Sequence, residues 1–177
     1  MKAIRIRGSI VALLLWGVAA AQGNKSRTVV VPLKNAEGNI VGTATLTEAQ
    51  PRGVRLELKV HDQPPGPLSF HVHQKPICEP PEFNSAGLHF DPGGVYYNNP
   101  HRGHDGVVAA GNPNTTLTVG PDGRAEGSVF MPNLTLGTDD HSVFSNGGTS
   151  IILHADVSKM PADTPTRTAC GVIKRPE

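Results

Sequence analysis

His71 and His73 stand one residue apart in the run Ser69-Phe70-His71-Val72-His73. Side chains alternate across a strand with a period of two, so in an extended segment both imidazoles leave the same face. Two neutral imidazoles on one face are half of a metal site. An isolated pair of this kind is just as readily a surface or packing feature, so its meaning depends on what accompanies it. Seven of the eight histidines fall after residue 70. His89 sits in Ser85-Ala86-Gly87-Leu88-His89-Phe90-Asp91-Pro92, and His154 closes Ile151-Ile152-Leu153-His154. A donor set rich in imidazole and free of thiolate suits Cu(II) and Zn(II), and intrinsic affinity favours copper. Two cysteines, Cys78 and Cys170, are too few for a cysteine-based zinc site.

The elements that must hold these side chains are short and β-like. Thr28–Leu33, Val41–Leu46 and Val54–Val60 are rich in branched residues, partly alternating, and separated by turn segments such as Asn35-Ala36-Glu37-Gly38-Asn39 and Pro51-Arg52-Gly53. Similar runs recur at Leu117–Val119, Ala125–Phe130, Ile151–His154 and Cys170–Ile173. No segment sustains a helical period, and 20 Gly with 16 Pro point the same way. The expected fold is all-β, an antiparallel Greek-key sandwich or barrel. Two long loops, Gln74–Pro113 and Ala155–Thr166, interrupt it; loops of this length inside a compact domain are usually functional.

The chain opens with Lys2, Arg5 and Arg7, followed by an apolar stretch from Ile10 that closes on Ala19-Ala20-Ala21. That layout predicts a secretory signal over residues 1–21, cleaved after Ala21; a membrane anchor would need about 20 apolar residues. Residues 22–177 then form one domain. Losing three of the 16 Lys and Arg leaves 13 against 15 Asp and Glu, a formal charge of −2, which argues against nucleic acid or an anionic membrane as partner. In an exported chain, two cysteines 92 positions apart read as one disulfide.

In their order along the chain, His71-Val72-His73, Cys78, His89 before Phe90-Asp91-Pro92, His154 at a strand end, and Arg167-Thr168-Ala169-Cys170-Gly171-Val172-Ile173 resemble a copper-zinc superoxide dismutase, from about Thr28 to Ile173. The resemblance implies copper held by His71, His73, His89 and His154. It makes Arg167 the arginine beside the metal that attracts the anionic substrate, and assigns the loop histidine His89 a part in proton delivery. It also pairs Cys78 with Cys170, pinning the first long loop beside Arg167.

Zinc is where the pattern departs. The family holds zinc with the loop histidine, two further histidines and an aspartate in a His-x-Gly-Asp-Leu-Pro/Gly-Asn type segment. The stretch that lines up is Val108-Ala109-Ala110-Gly111-Asn112-Pro113-Asn114, with valine for a histidine and glycine for the aspartate. Upstream, His101, His104 and Asp105 could serve as substitutes with His89. The segment between His154 and Arg167 is short as well. Together these features resemble the copper-only members, with one copper per chain and zinc doubtful.

The expected function is therefore an exported superoxide dismutase, periplasmic or extracellular, cycling copper between +2 and +1. Its partners would be superoxide, with no nucleic acid and no membrane after signal cleavage; a homodimer is left open. A non-catalytic copper-binding or copper-carrier protein would need the same histidines but not Arg167. A blue-copper carrier would need Cys, His and often Met clustered near the chain end, and no histidine follows Cys170. His61 with Asp62 reads as surface, and no role is read for His141.

Overall fold

A computed structural model describes residues 27–99, 107–155 and 166–176. The expected signal segment 1–21 and the substitute zinc residues His101, His104 and Asp105 lie outside the described residues.

Among the described residues eight strands form: β1 Thr28–Lys34, β2 Ile40–Glu48, β3 Val54–Val60, β4 Gly66–His73, β5 Thr116–Val119, β6 Ala125–Met131, β7 Thr149–Ala155 and β8 Thr166–Ile173. Every pairing is antiparallel, in the order β5-β4-β7-β8-β1-β2-β3-β6. The edge strands meet: the Leu117 side chain of β5 fills the space over Gly127 of β6 that a Cβ would occupy. The sheet thus curls into a nearly closed Greek-key barrel, as expected. Among the described residues no helix is long and apolar enough to cross a membrane.

Local sequence explains most strands. In β3, Val54, Leu56, Leu58 and Val60 are buried while Arg55, Glu57 and Lys59 are exposed. Burying each such aliphatic side chain contributes roughly 1.5–3 kcal/mol, and a slip of one residue would turn all four to water. β7 departs from this alternation, being buried at every position. Its inward residues Ile151 and Leu153 join the barrel core, and its outward Ile152 packs with Phe83, Ala86 and Cys170 in a second apolar cluster. The first long loop therefore roofs the outer face of this strand.

A third irregular stretch, residues 132–148, was not among the two expected loops. It inserts Leu134, Leu136 and Val143 fully into the core, and their spacing fits neither a strand nor a helix period.

Candidate metal centre

Pairing register decides which side chains share a face. Across β4 and β7, Ser69 opposes His154, His71 opposes Ile152 and His73 opposes Ser150. Since Ile152 points outward, His71, His73 and His154 all leave the outer, roofed face of the barrel. His89 arrives from the loop through a single bridge to His73, flanked by the Gln74 N–H donating to the Leu88 carbonyl at 3.0 Å and the Phe90 N–H donating to the Val72 carbonyl at 2.8 Å. The four rings converge: His71 stacks on His89 with centroids 4.2 Å apart and lies 4.7 Å from His154, while His73 is 5.1 Å from His89 and 5.8 Å from His154.

One ligand atom each from His71, His73 and His89 lies within 4.8 Å of the others, and among the described residues no second such group of His, Cys, Asp or Glu occurs. His73 Nδ1 faces the Gly87 carbonyl at 2.8 Å. A carbonyl can only accept, so Nδ1 carries the proton and the Nε2 lone pair faces the cluster. His71 Nδ1 and His73 Nε2 are both buried without a hydrogen-bond partner. Orphaned buried polar atoms are costly, and a divalent cation would satisfy them; neutral imidazoles with one ring nitrogen fixed from outside are the donor chemistry that copper takes.

Burial, reinforced by the other histidines and by Arg167, pushes the His71 imidazole down to about 2. Burial also takes His73 to about 3 despite the Gly87 contact, and His89 is lowered by burial and by Arg167. These values lie below that of an unfolded histidine, so the unfolded chain binds more protons in the window between. Metal-free protein should accordingly hold its stability above about pH 6.5 and lose it as the pH falls toward 3, by about 1.4 kcal/mol per pH unit for each of His71 and His73. Urea unfolding of chelator-treated protein at pH 7.5 and 5.5 checks this; coincident midpoints would show that the rings are not buried neutral.

Arg167 reaches the same face through an irregularity in β8. Leu153 pairs with Ala169 but His154 pairs with Arg167, so Thr168 is bulged out of register. Without the bulge Arg167, two residues from core-facing Ala169, would point inward; the extra residue flips it to the histidine side. Its Nη1 donates to the Phe83 carbonyl at 2.8 Å. Phe83 holds a left-handed conformation, φ 55° and ψ 26°, stabilised by a ring only 2% exposed in the second cluster. That cluster contains the Cys78–Cys170 disulfide, with Cα atoms 5.7 Å apart, which ties the loop to β8. The bulge itself is secured by Thr168 Oγ1 donating to Oε1 of buried Gln63 at 2.7 Å.

Residues 107–113 supply no imidazole, thiol or carboxylate in any register. The structure adds a reason for the glycine at 111. Gly111 accepts from the Val72 N–H at 2.9 Å and donates to the Phe90 carbonyl at 2.8 Å, and a Cβ there would overlap the Val72 carbonyl. Glycine at 111 answers this close approach, and the position has no room for a larger side chain. His61 Nδ1 pairs with the exposed Asp62 carboxylate at 2.8 Å, and His141 Nδ1 donates to the Asn133 carbonyl; neither joins the centre. Sequence reasoning missed Phe83, Gln63 and Thr168, whose contributions are a main-chain carbonyl and a bulge that no side-chain pattern announces.

Residues 40–173 match the family model described as copper/zinc superoxide dismutase. The chain is 33% identical over 171 residues to "Superoxide dismutase [Cu-Zn] 2" of Aquifex aeolicus, covering 92% of this chain and 94% of that protein. Among solved structures, a double mutant of a SOD-like protein from Bacillus subtilis superposes with a TM-score of 0.69 at 29% identity, over 82% of this chain and 97% of that one. The Cu/Zn superoxide dismutase from Brucella abortus gives 0.63 at 27% identity, over 84% and 100%.

Proposed function

The chain belongs to the copper/zinc superoxide dismutase family, and from that membership we propose that it is an exported copper-dependent superoxide dismutase. His71, His73, His89 and His154 would hold the metal, one per chain, with no zinc held by the 107–113 segment. Copper, when bound, supplies the one-electron couple that takes an electron from one superoxide and returns it to a second. Two superoxide anions and two protons thereby become oxygen and hydrogen peroxide.

The observation that carries this reading is that three imidazoles and one guanidinium share one roofed face of the barrel and a fourth imidazole, His89, reaches them from the loop, with buried ring nitrogens of His71 and His73 left unsatisfied. Arg167, half-buried and bonded through one nitrogen to Phe83, keeps its charge and offers its other N–H groups to a small anion. His73 is oriented by Gly87. His89, on a loop rather than a strand, is the ring best suited to carry a proton to the second superoxide. The disulfide and the leader pattern before residue 22 support an oxidising compartment, periplasmic or extracellular.

Elemental analysis after exposure to both ions and dialysis should find about one copper and little zinc per chain; one firmly held zinc beside copper would revive His101, His104 and Asp105 as ligands. A relative from Bacillus subtilis, 30% identical over 151 residues, is named only as superoxide dismutase-like, and the second reading is a non-catalytic copper binder. Arg167 separates the two, because a carrier has no use for an anion guide.

A further inference from the structure

His89 is the one member of the centre that no strand supplies, and residues 107–113 offer no metal donor that could help to hold its loop. The loop nevertheless has a built support. In the bridge between His73 and His89, the flanking residues Leu88 and Phe90 make the hydrogen bonds to β4. His89 is thus in the position of an antiparallel pair whose own N–H points away from the partner strand. That N–H meets the Tyr97 hydroxyl at 3.1 Å and donates to it.

Tyr97 is in turn fixed from within the same loop. The Asp91 carboxylate accepts from the Tyr96 N–H, at 3.1 and 3.0 Å to its two oxygens, and from the Tyr97 N–H at 3.0 Å. The turn is closed further by Gly94 N–H donating to the Asp91 carbonyl and Asn98 N–H to the Gly94 carbonyl. The half-buried Tyr96 and Tyr97 rings meet edge to face at 5.0 Å. Asp91 therefore folds residues 91–98 back on themselves, and the returning tyrosine grips the backbone of His89 from the side opposite β4.

We propose that Tyr97, braced by Asp91, is a positioning residue for His89: a clamp built from the loop itself that fixes the loop histidine through its main chain. It touches neither metal nor substrate and acts through the His89 main chain. This rests on the copper reading, but the clamp can be tested without it.

Tyr97→Phe removes one oxygen and keeps the ring packing, so the fold should survive. In metal-free protein, hydrogen exchange at the His89 amide should quicken by about 5- to 10-fold, the factor one neutral hydrogen bond supports. In copper-loaded protein, the Cu(II) paramagnetic resonance spectrum should shift as His89 becomes mobile. Tyr96→Phe, the same chemical change one residue away, should alter neither. Asp91→Ala should reproduce the Tyr97→Phe result, and Asp91→Asn, which keeps an acceptor oxygen, should largely restore wild-type exchange. Unchanged His89 exchange and an unchanged spectrum in Tyr97→Phe would overturn the clamp. Faster exchange in a protein that binds no copper would keep the clamp and sink the copper reading instead.

Discussion

Arg167→Glu is expected to retain its copper while superoxide disproportionation slows by about 10- to 1,000-fold, the range over which electrostatic steering changes on-rates. The substitution leaves all four imidazoles in place but reverses the charge on the face they share. It also removes the donor to the Phe83 carbonyl, so the carboxylate is pushed outward, toward the path of an incoming anion. Arg167→Lys separates charge from geometry. It keeps the positive charge without the planar fork, and should recover most of the steering but not the full wild-type rate. Because exposed charges are screened over about 10 Å at 0.1 M salt, the gap between wild type and Arg167→Glu should narrow as salt rises. Equal rates for the two proteins at low and high salt would show that Arg167 does not guide substrate, and would favour the copper-binding alternative.

The metal face was legible in the sequence because period two is a strong constraint. Once Ser69–His73 is a strand, His71 and His73 must emerge together, and β4 bears this out. His154 joins them because antiparallel register sets it beside Ser69. Strand ends were less legible: β8 begins at Thr166, not Cys170, so Arg167 belongs to a strand and owes its direction to a bulge at Thr168. Alternation alone would have placed it in the core. The acceptor for Arg167 is a main-chain carbonyl brought near by a left-handed Phe83, and the support under His89 is a tyrosine hydroxyl on a main-chain N–H. Neither involves a residue type that signals chemistry. Gly111 is a related case: its close approach to the Val72 carbonyl is a backbone requirement that a string of letters does not display.

Replacing both cysteines, as Cys78→Ala with Cys170→Ala, should lower the free energy of unfolding by about 4–5 kcal/mol, the chain-entropy value for a loop closed over 92 positions. Alanine is the right replacement because Cys170 is 2% exposed and packs with Phe83, Ala86 and Ile152; serine would add a buried hydroxyl and blur the measurement. For a domain of this size that loss corresponds to roughly 10–20 °C in Tm. The functional effect should be separable from the stability effect. β4 and β7 still carry His71, His73 and His154, whereas the loop segment that presents the Phe83 carbonyl to Arg167 is freed from β8. Below its transition, the double variant should therefore keep much of its copper and lose turnover, as Arg167→Glu does, with a rate less sensitive to salt than that of the wild type. Wild-type protein treated with a reductant should move the same way in both respects. If the double variant melts with the oxidised wild type, the disulfide does not secure the fold; if it melts early but keeps full, salt-sensitive turnover, Phe83 holds Arg167 without help from the cross-link.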